Sequence, residues 1–269
     1  MMRYFFLMSL LCSCTPLFFQ PQSELLRTPT QLKLAYENVY FLTEDRLRLH
    51  GWWLPAKNET KGTVLFLHGN AENISTHIGS VMWLPDEGFN VFLFDYRGYG
   101  LSQGEADLAG LHQDIEAALT TVKQRIGRAK LIVFGQSLGG SLAVTHLAAS
   151  NQRTEVCLLI IDSAFASYRQ LVREKSAHFW LTWALQWPLS LTISGVYQPI
   201  TDIARLSPLP ILIIHGTDDK IILPHHAQQL YSAAQEPKKL WLIPKRQHIQ
   251  MFKPAQKWFL LEYIEQICG

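Results

Sequence analysis

Little in this chain stands out by charge, by cysteine content or by long apolar runs. Lysine and arginine number 24 against 22 aspartates and glutamates, spread over 269 residues. The formal charge of +2 leaves no basic patch for a nucleic acid and no polybasic stretch for an anionic surface. Of four cysteines, Cys12 and Cys14 belong to the first segment. Cys157 and Cys268 are too few for a disulfide framework, and Cys157, set in an apolar strand, reads as a small core residue. No run reaches the roughly 20 apolar residues that span a bilayer as a helix. No internal repeat divides the chain. No phosphate-cradling glycine loop and no histidine pair at ligand spacing is found, so neither metal nor organic cofactor is expected.

What is present is apolar residues, 48% of the chain, enough for one sizeable core and one domain. The N-terminus differs from the rest. Arg3 precedes a short apolar run from Tyr4 to Leu11, broken at Ser13, Cys14, Thr15 and Pro16, as in a cleaved export signal. Leu11-Cys12-Ser13-Cys14 resembles a bacterial lipobox, with leucine at −3, a small residue at −1 and the lipidated cysteine at +1. The expected division is a lipoprotein-type signal peptide over 1–13, a tether over 14–29 and a domain over 30–269. The expected location is that of an exported bacterial lipoprotein, held on a membrane by its N-terminal lipid and facing the periplasm or the cell exterior.

Two extended segments, 39–42 and 47–54, flank the polar Thr43-Glu44-Asp45-Arg46 and predict an antiparallel hairpin. Six short apolar runs follow at 64–67, 91–94, 131–134, 158–161, 211–214 and 240–243, which suits parallel strands covered on both faces. Between them, 108–126 places Leu111, Ile115, Ala118, Leu119 and Val122 near a period of 3.6, the pattern of an amphipathic helix. Near the C-terminus Leu260, Ile264 and Ile267 recur at i, i+4 and i+7. The alternation predicts an α/β fold with a mostly parallel, doubly wound sheet. One aromatic stretch, 178–197, breaks the alternation, either as a helix packed on the sheet or as a small apolar lid.

The strand 131–134 runs into Gly135-Gln136-Ser137-Leu138-Gly139, where a strand-to-helix turn leaves no room for side chains at the two glycines. Ser137 is therefore the candidate nucleophile. A serine hydroxyl needs a base, and the base an orienting acid, each in a loop after a later strand. His215-Gly216-Thr217-Asp218-Asp219 offers two carboxylates, and His248 alone of the histidines falls in the last strand-to-helix loop. His68 and His215 read as loop braces, and His225 and His226 as the start of a helix after Pro224. An oxyanion hole needs two backbone donors: Leu138 follows the nucleophile, and Asn70, with Ala71 as the alternative, lies in the loop after strand 64–67.

His68-Gly-Asn-Ala-Glu-Asn73, Asp95-Tyr-Arg-Gly-Tyr-Gly100, Gly135-Gln-Ser-Leu-Gly-Gly140, His215-Gly-Thr-Asp-Asp219 and His248 together resemble the alpha/beta-hydrolase superfamily. The likeness is to its compact members with a minimal cap, bacterial predicted esterases and eukaryotic depalmitoylase-type enzymes among them. The resemblance implies a serine hydrolase acting on a carboxylic ester or thioester, with Ser137, Asp219 and His248 as its triad and Asp218 as a turn residue. It implies that Asp95 belongs to a structural turn. Relatives carry glycine before the histidine where this chain has Gln247. The expected partner is a small or lipid-like acyl ester. The alternatives are a serine peptidase of the same fold and a non-catalytic, membrane-tethered binding protein.

The lipobox reading has a direct test in the native host. Cys14→Ser should abolish palmitate labelling and leave an uncleaved precursor, whereas Cys12→Ser should still be processed. A Cys14→Ser chain labelled like wild type would overturn it.

Overall fold

The apolar runs are rich in β-branched and aromatic residues, and they become strands because both of their faces find cover. In the computed structural model, which describes residues 18–177, 183–191, 195–250 and 254–269, one eight-stranded sheet forms. Its strands are β1 (Glu37–Leu42), β2 (Arg48–Leu54), β3 (Gly62–Leu67), β4 (Phe89–Phe94), β5 (Leu131–Gln136), β6 (Val156–Asp162), β7 (Ile211–Gly216) and β8 (Lys238–Ile243). Their order across the sheet is β8-β7-β6-β5-β3-β4-β2-β1. The hairpin β1-β2 and the pairing of β2 with β4 are antiparallel; the remaining pairs are parallel.

Side chains of a strand alternate between faces, and the two cores follow that period. Leu65, Leu67, Leu131, Val133, Ile211 and Ile213 point into one core. Their neighbours Val64, Phe66, Ile132, Phe134, Leu212 and Ile214 point into the other. Helices α1 (Leu108–Ile126), α2 (Leu138–Ala149), α3 (Tyr168–Ala177) and α4 (His225–Ala233) cover the first face, and α5 (Pro254–Cys268) covers the second. The five apolar residues read from the sequence of α1 are all buried, and its first turn is capped by Asp107, whose carboxylate accepts from the Gly110 N–H at 3.0 Å. The chain reverses direction across the sheet between β3 and β5, and in such sheets the crevice at that reversal holds the site.

Three sequence readings change. The first is the tether. From Phe18 onward, residues assigned to it lie against the domain: Gln20–Pro21 pairs in parallel with Ala71–Glu72, Phe19 is buried, and Gly100 donates to the Gln22 carbonyl at 2.9 Å. The pairing spans some fifty residues, so no local pattern announces it. Signal residues 1–13 and Cys14 lie outside the described residues.

The second is the aromatic stretch. Residues 178–182 and 192–194 lie outside the described residues. Trp183–Leu185 and Gln186–Leu191 form two short turns that pack on α3 rather than on the sheet. Trp183 and Trp187 are each 61% exposed, and the Arg173 guanidinium lies 4.6 Å from the Trp187 ring centre.

The third is Cys157. It is joined in a disulfide to Cys268, their Cα atoms 5.7 Å apart, because α5 folds back beside β6. The bridge closes a ring over a separation of 111 residues, and rings of that length stabilise by constraining the unfolded chain. Cys268→Ser should therefore lower unfolding stability by about 2–5 kcal/mol, measured by urea titration. Reductant should shift wild type by a similar amount and leave the variant unmoved; a wild-type midpoint insensitive to reductant would contradict the bridge.

Candidate active site

Ser137 sits between β5 and α2 with φ 54° and ψ −116°, a left-handed conformation that a side chain adopts only under constraint. The constraint is close packing on both sides. A Cβ on Gly135 would lie 2.5 Å from the Gly139 carbonyl oxygen, and one on Gly139 would lie 2.1 Å from that of Leu67. The elbow is held from below as well, since the Ser137 N–H donates to the Asp162 carbonyl at 2.8 Å. The hydroxyl is left at the C-terminal edge of the sheet.

The two later loops converge on it. The Ser137 hydroxyl donates to His248 Nε2 at 3.1 Å, and His248 Nδ1 donates to Asp219 Oδ2 at 2.7 Å. The other oxygen of Asp219 accepts from the N–H groups of Ile221 and Ile222 at 2.8 and 2.9 Å. Burial alone would raise this carboxyl. Hydrogen bonds from His215 and His248, the nearby His248 charge and the Ile222 N–H instead hold it below the usual carboxylate range, so it stays an anion. Asp218 is exposed and accepts only from the Thr217 hydroxyl at 2.9 Å, so of the two adjacent carboxylates Asp219 faces the imidazole. His215 braces this loop, its Nε2 lying 2.8 Å from the Ile222 carbonyl and 3.3 Å from Asp219. The loop reaches His248 through left-handed residues at Lys245 and Ile249 rather than at Gln247, whose side chain is exposed. Glutamine in place of the relatives' glycine therefore meets no steric demand.

Leu138 begins α2, so its N–H belongs to a first turn whose donors have no carbonyl one turn back. Facing it is the loop after β3, where a Cβ on Gly69 would stand 3.5 Å from that of Ser137. Asn70 and Ala71 follow in that loop. The Asn70 side chain is held from three directions: its oxygen accepts from Tyr99 Oη at 3.0 Å and the Gln20 N–H at 3.3 Å, and its nitrogen donates to the Phe18 carbonyl at 2.7 Å. Asn73 caps the turn behind it and donates to the carbonyls of Gln22 and Glu24. The N-terminal segment thus props the loop.

Gln136, whose part the sequence leaves unremarked, and Asp95 and His68, read there as turn residue and brace, support these loops. Gln136, beside the serine, donates to Asp162 at 2.9 Å and accepts from the Ser80 hydroxyl at 3.1 Å. Asp95 lies fully buried under the loop after β3, one oxygen accepting from the Ile74 N–H at 2.8 Å, the other without a partner among the described residues and hard against Gly100. Burial pushes its carboxyl up to about 8, against a smaller opposing effect of that Ile74 bond. His68 Nε2 stands 3.7 Å away, kept neutral by its own burial.

Among the described residues one set of metal-ligand types meets: Glu174, His225 and His226. The Ala166 N–H donates to His226 Nδ1 at 3.2 Å, so the ring proton sits on Nε2 and is directed at Glu174, 2.9 Å away. That is a hydrogen-bonded clasp between α3 and α4, with the metal-facing lone pair of His226 already occupied by a proton. A hydroxyl, an imidazole and a carboxylate in one hydrogen-bonded line can pass a proton from oxygen to nitrogen.

The family model described as serine aminopeptidase, S33, matches residues 58–198. The chain is 38% identical over 222 residues to YfhR, an uncharacterized protein of Escherichia coli K12, across 80% of this chain and 74% of that one. It is 31% identical over 218 residues to the alpha/beta hydrolase domain-containing protein WAV2 of Arabidopsis thaliana, across 77% and 69%. Among solved structures, the Pyrococcus furiosus esterase Pf2001 superposes with a TM-score of 0.75 at 25% identity, covering 94% of this chain and 98% of that one.

Asp95 generates a pH-dependent expectation. Above about pH 4 an unfolded aspartate has lost its proton, while the folded one keeps it up to about 8. The folded state then binds more protons, so this residue's contribution to stability falls as pH rises through that window and levels off above it. Asp95→Asn removes the titration, and its thermal midpoint should gain on wild type progressively across the window. A constant difference would contradict the buried protonated carboxyl.

Proposed function

The chain belongs to the alpha/beta-hydrolase family described by the serine aminopeptidase S33 model, and on that premise we propose that it cleaves a carboxylic ester or thioester through an acyl-serine intermediate. The observation that carries the reading is the hydrogen-bonded line from Ser137 through His248 to Asp219 at a strained elbow. His248 Nε2 takes the hydroxyl proton as Ser137 Oγ attacks the acyl carbon. Asp219 keeps the Nδ1–H tautomer and stabilises the imidazolium. The carbonyl electrons move to oxygen, which the N–H of Leu138 and a second N–H, of Asn70 or Ala71, hold as the oxyanion. On collapse the bond to the leaving oxygen or sulfur breaks and His248 returns the proton to it. Water, deprotonated by the same imidazole, then attacks the acyl-serine, and its collapse releases the acid and restores the hydroxyl. No step calls for a metal or an organic cofactor.

We further propose that the protein is an exported lipoprotein anchored through Cys14. Besides the lipobox, the Cys157–Cys268 bridge supports this, since stable disulfides belong to oxidising compartments. Among the described residues no helix is long and apolar enough to cross a membrane. The family description favours one second reading, a peptidase, which shares the same acyl chemistry.

A fluorophosphonate probe should label wild type and not Ser137→Ala; an unlabelled wild type would leave a binding protein as the better reading. Esters, thioesters and aminoacyl anilides, compared by kcat/KM, separate esterase from peptidase. Because triad members act as a unit, Ser137→Ala and His248→Ala should each cost orders of magnitude in kcat, and the double variant little more. Asp219→Asn should be severely impaired and Asp218→Asn close to wild type. Additive losses, or the reverse ranking of the two aspartates, would overturn the assignment.

A further inference from the structure

Phe18 touches two loops that adjoin the Ser137 elbow. Its carbonyl accepts from Asn70 in the oxyanion loop at 2.7 Å. Its ring meets Phe165, in the loop after β6, at 6.4 Å and Tyr168, the first residue of α3, at 5.6 Å. The segment therefore bridges two loops that flank the serine. From there Gln20–Pro21 runs along Ala71–Glu72. Three residues separate Phe18 from Cys14 in the sequence, a stretch that reaches about 14 Å at full extension. A lipid on Cys14 would hold a bilayer surface within that reach of Phe18.

The face beyond Phe18 has a composition suited to that surface. α3 runs from Tyr168 beside Phe18 to Lys175, whose ammonium donates to the Ile221 carbonyl next to the Asp219 loop. In the two short turns packed on α3 stand Trp183, Leu185, Trp187 and Leu191, with Val196 after them and Ile221 on the loop that Lys175 holds, between 49% and 69% exposed. Scattered exposed apolar residues are ordinary, but four on two consecutive turns packed against one helix mark an interface. Arg169, Arg173 and Lys175 accompany the set against a single carboxylate, Glu174. Tryptophans flanked by cations are the residues of the lipid headgroup region.

We propose that this face docks on the phospholipid bilayer that carries the Cys14 lipid, so that the Ser137 crevice opens toward the membrane and draws its acyl ester from the lipid phase. The proposal rests on the Cys14 anchor and on the acyl-hydrolase reading. It selects lipid-borne esters over soluble ones as substrates. It also gives the N-terminal segment a role in aiming the domain.

The full chain, purified from membranes, can be reconstituted into vesicles of phosphatidylethanolamine and phosphatidylglycerol with brominated acyl chains. Tryptophan emission should be quenched relative to unbrominated vesicles, and Trp183→Phe/Trp187→Phe should lose at least about half of that quenching, as interfacial tryptophans dominate it. In Trp183→Ser/Trp187→Ser, the ratio of vesicle-embedded to soluble short-chain ester hydrolysis should fall about tenfold through lost interfacial binding. Equal quenching in wild type and the phenylalanine variant, or an unchanged ratio, overturns the docking face. The mass of the N-terminal peptide reports acylation separately. An unacylated Cys14 with quenching intact removes the anchor and leaves the docking face, whereas an acylated Cys14 without the quenching difference does the opposite. Absence of hydrolysis on the short ester fails the hydrolase reading alone.

Discussion

The close approach of α2 to the end of β3 is the contact on which the rest of the site depends. Only a residue without Cβ at 139 lets the helix start against the Leu67 carbonyl, and that contact sets Ser137 in its left-handed conformation beside Gly69. A helix displaced by the width of a methyl group would separate the hydroxyl from the loop that faces it. The strain at Ser137 is maintained by the two cores on either side of the sheet, whose residues at β3 and β5 are almost entirely excluded from solvent. In this sense the packing of Val64 to Leu67 against Ile132 to Phe134 is as much a part of the site as the imidazole is. Rigid neighbouring strands fix the elbow, while Asp219 and His248 arrive on loops whose own hydrogen bonds fix them.

Support for the loop after β3 comes from two segments remote in sequence: the N-terminal segment through Asn70 and Asn73, and the Asp95 to Gly100 turn through Tyr99 and through the Asp95 carboxyl, which holds Ile74. Each contact ends on a polar group shielded from water, where an unpaired partner would be costly. The loop is accordingly a junction of segments, and its conformation belongs to the whole edge of the sheet rather than to the six residues that compose it.

The sheet is legible in the sequence because each strand repeats one local pattern, an apolar run bounded by turn residues, and α1 because its apolar residues return near every 3.6. The three side chains that meet at the elbow are singled out by motif and by loop position. The choice between Asp218 and Asp219 rests on family spacing until the geometry shows which one faces His248. What stays hidden depends on contacts between distant residues. Gln20–Pro21 meets Ala71–Glu72 without any period to mark it, Cys157 meets Cys268 only because α5 turns back, and Glu174 finds His225 and His226 through the packing of two helices. The aromatic stretch reads as a helix packed on the sheet or as an apolar lid, yet its two described tryptophans face outward, since composition alone does not say which side of a turn is covered.

The Cys157–Cys268 bridge joins β6 to the last helix and thereby encloses both Asp219 and His248 in one covalent circle, with Ser137, at the elbow after β5, outside it. A single cut anywhere along that circle, through the exposed turns around Trp187 for example, would sever the backbone without releasing a fragment. Ser137, Asp219 and His248 would remain parts of one molecule. The bridge makes the covalent continuity among these three residues independent of the integrity of the chain between them.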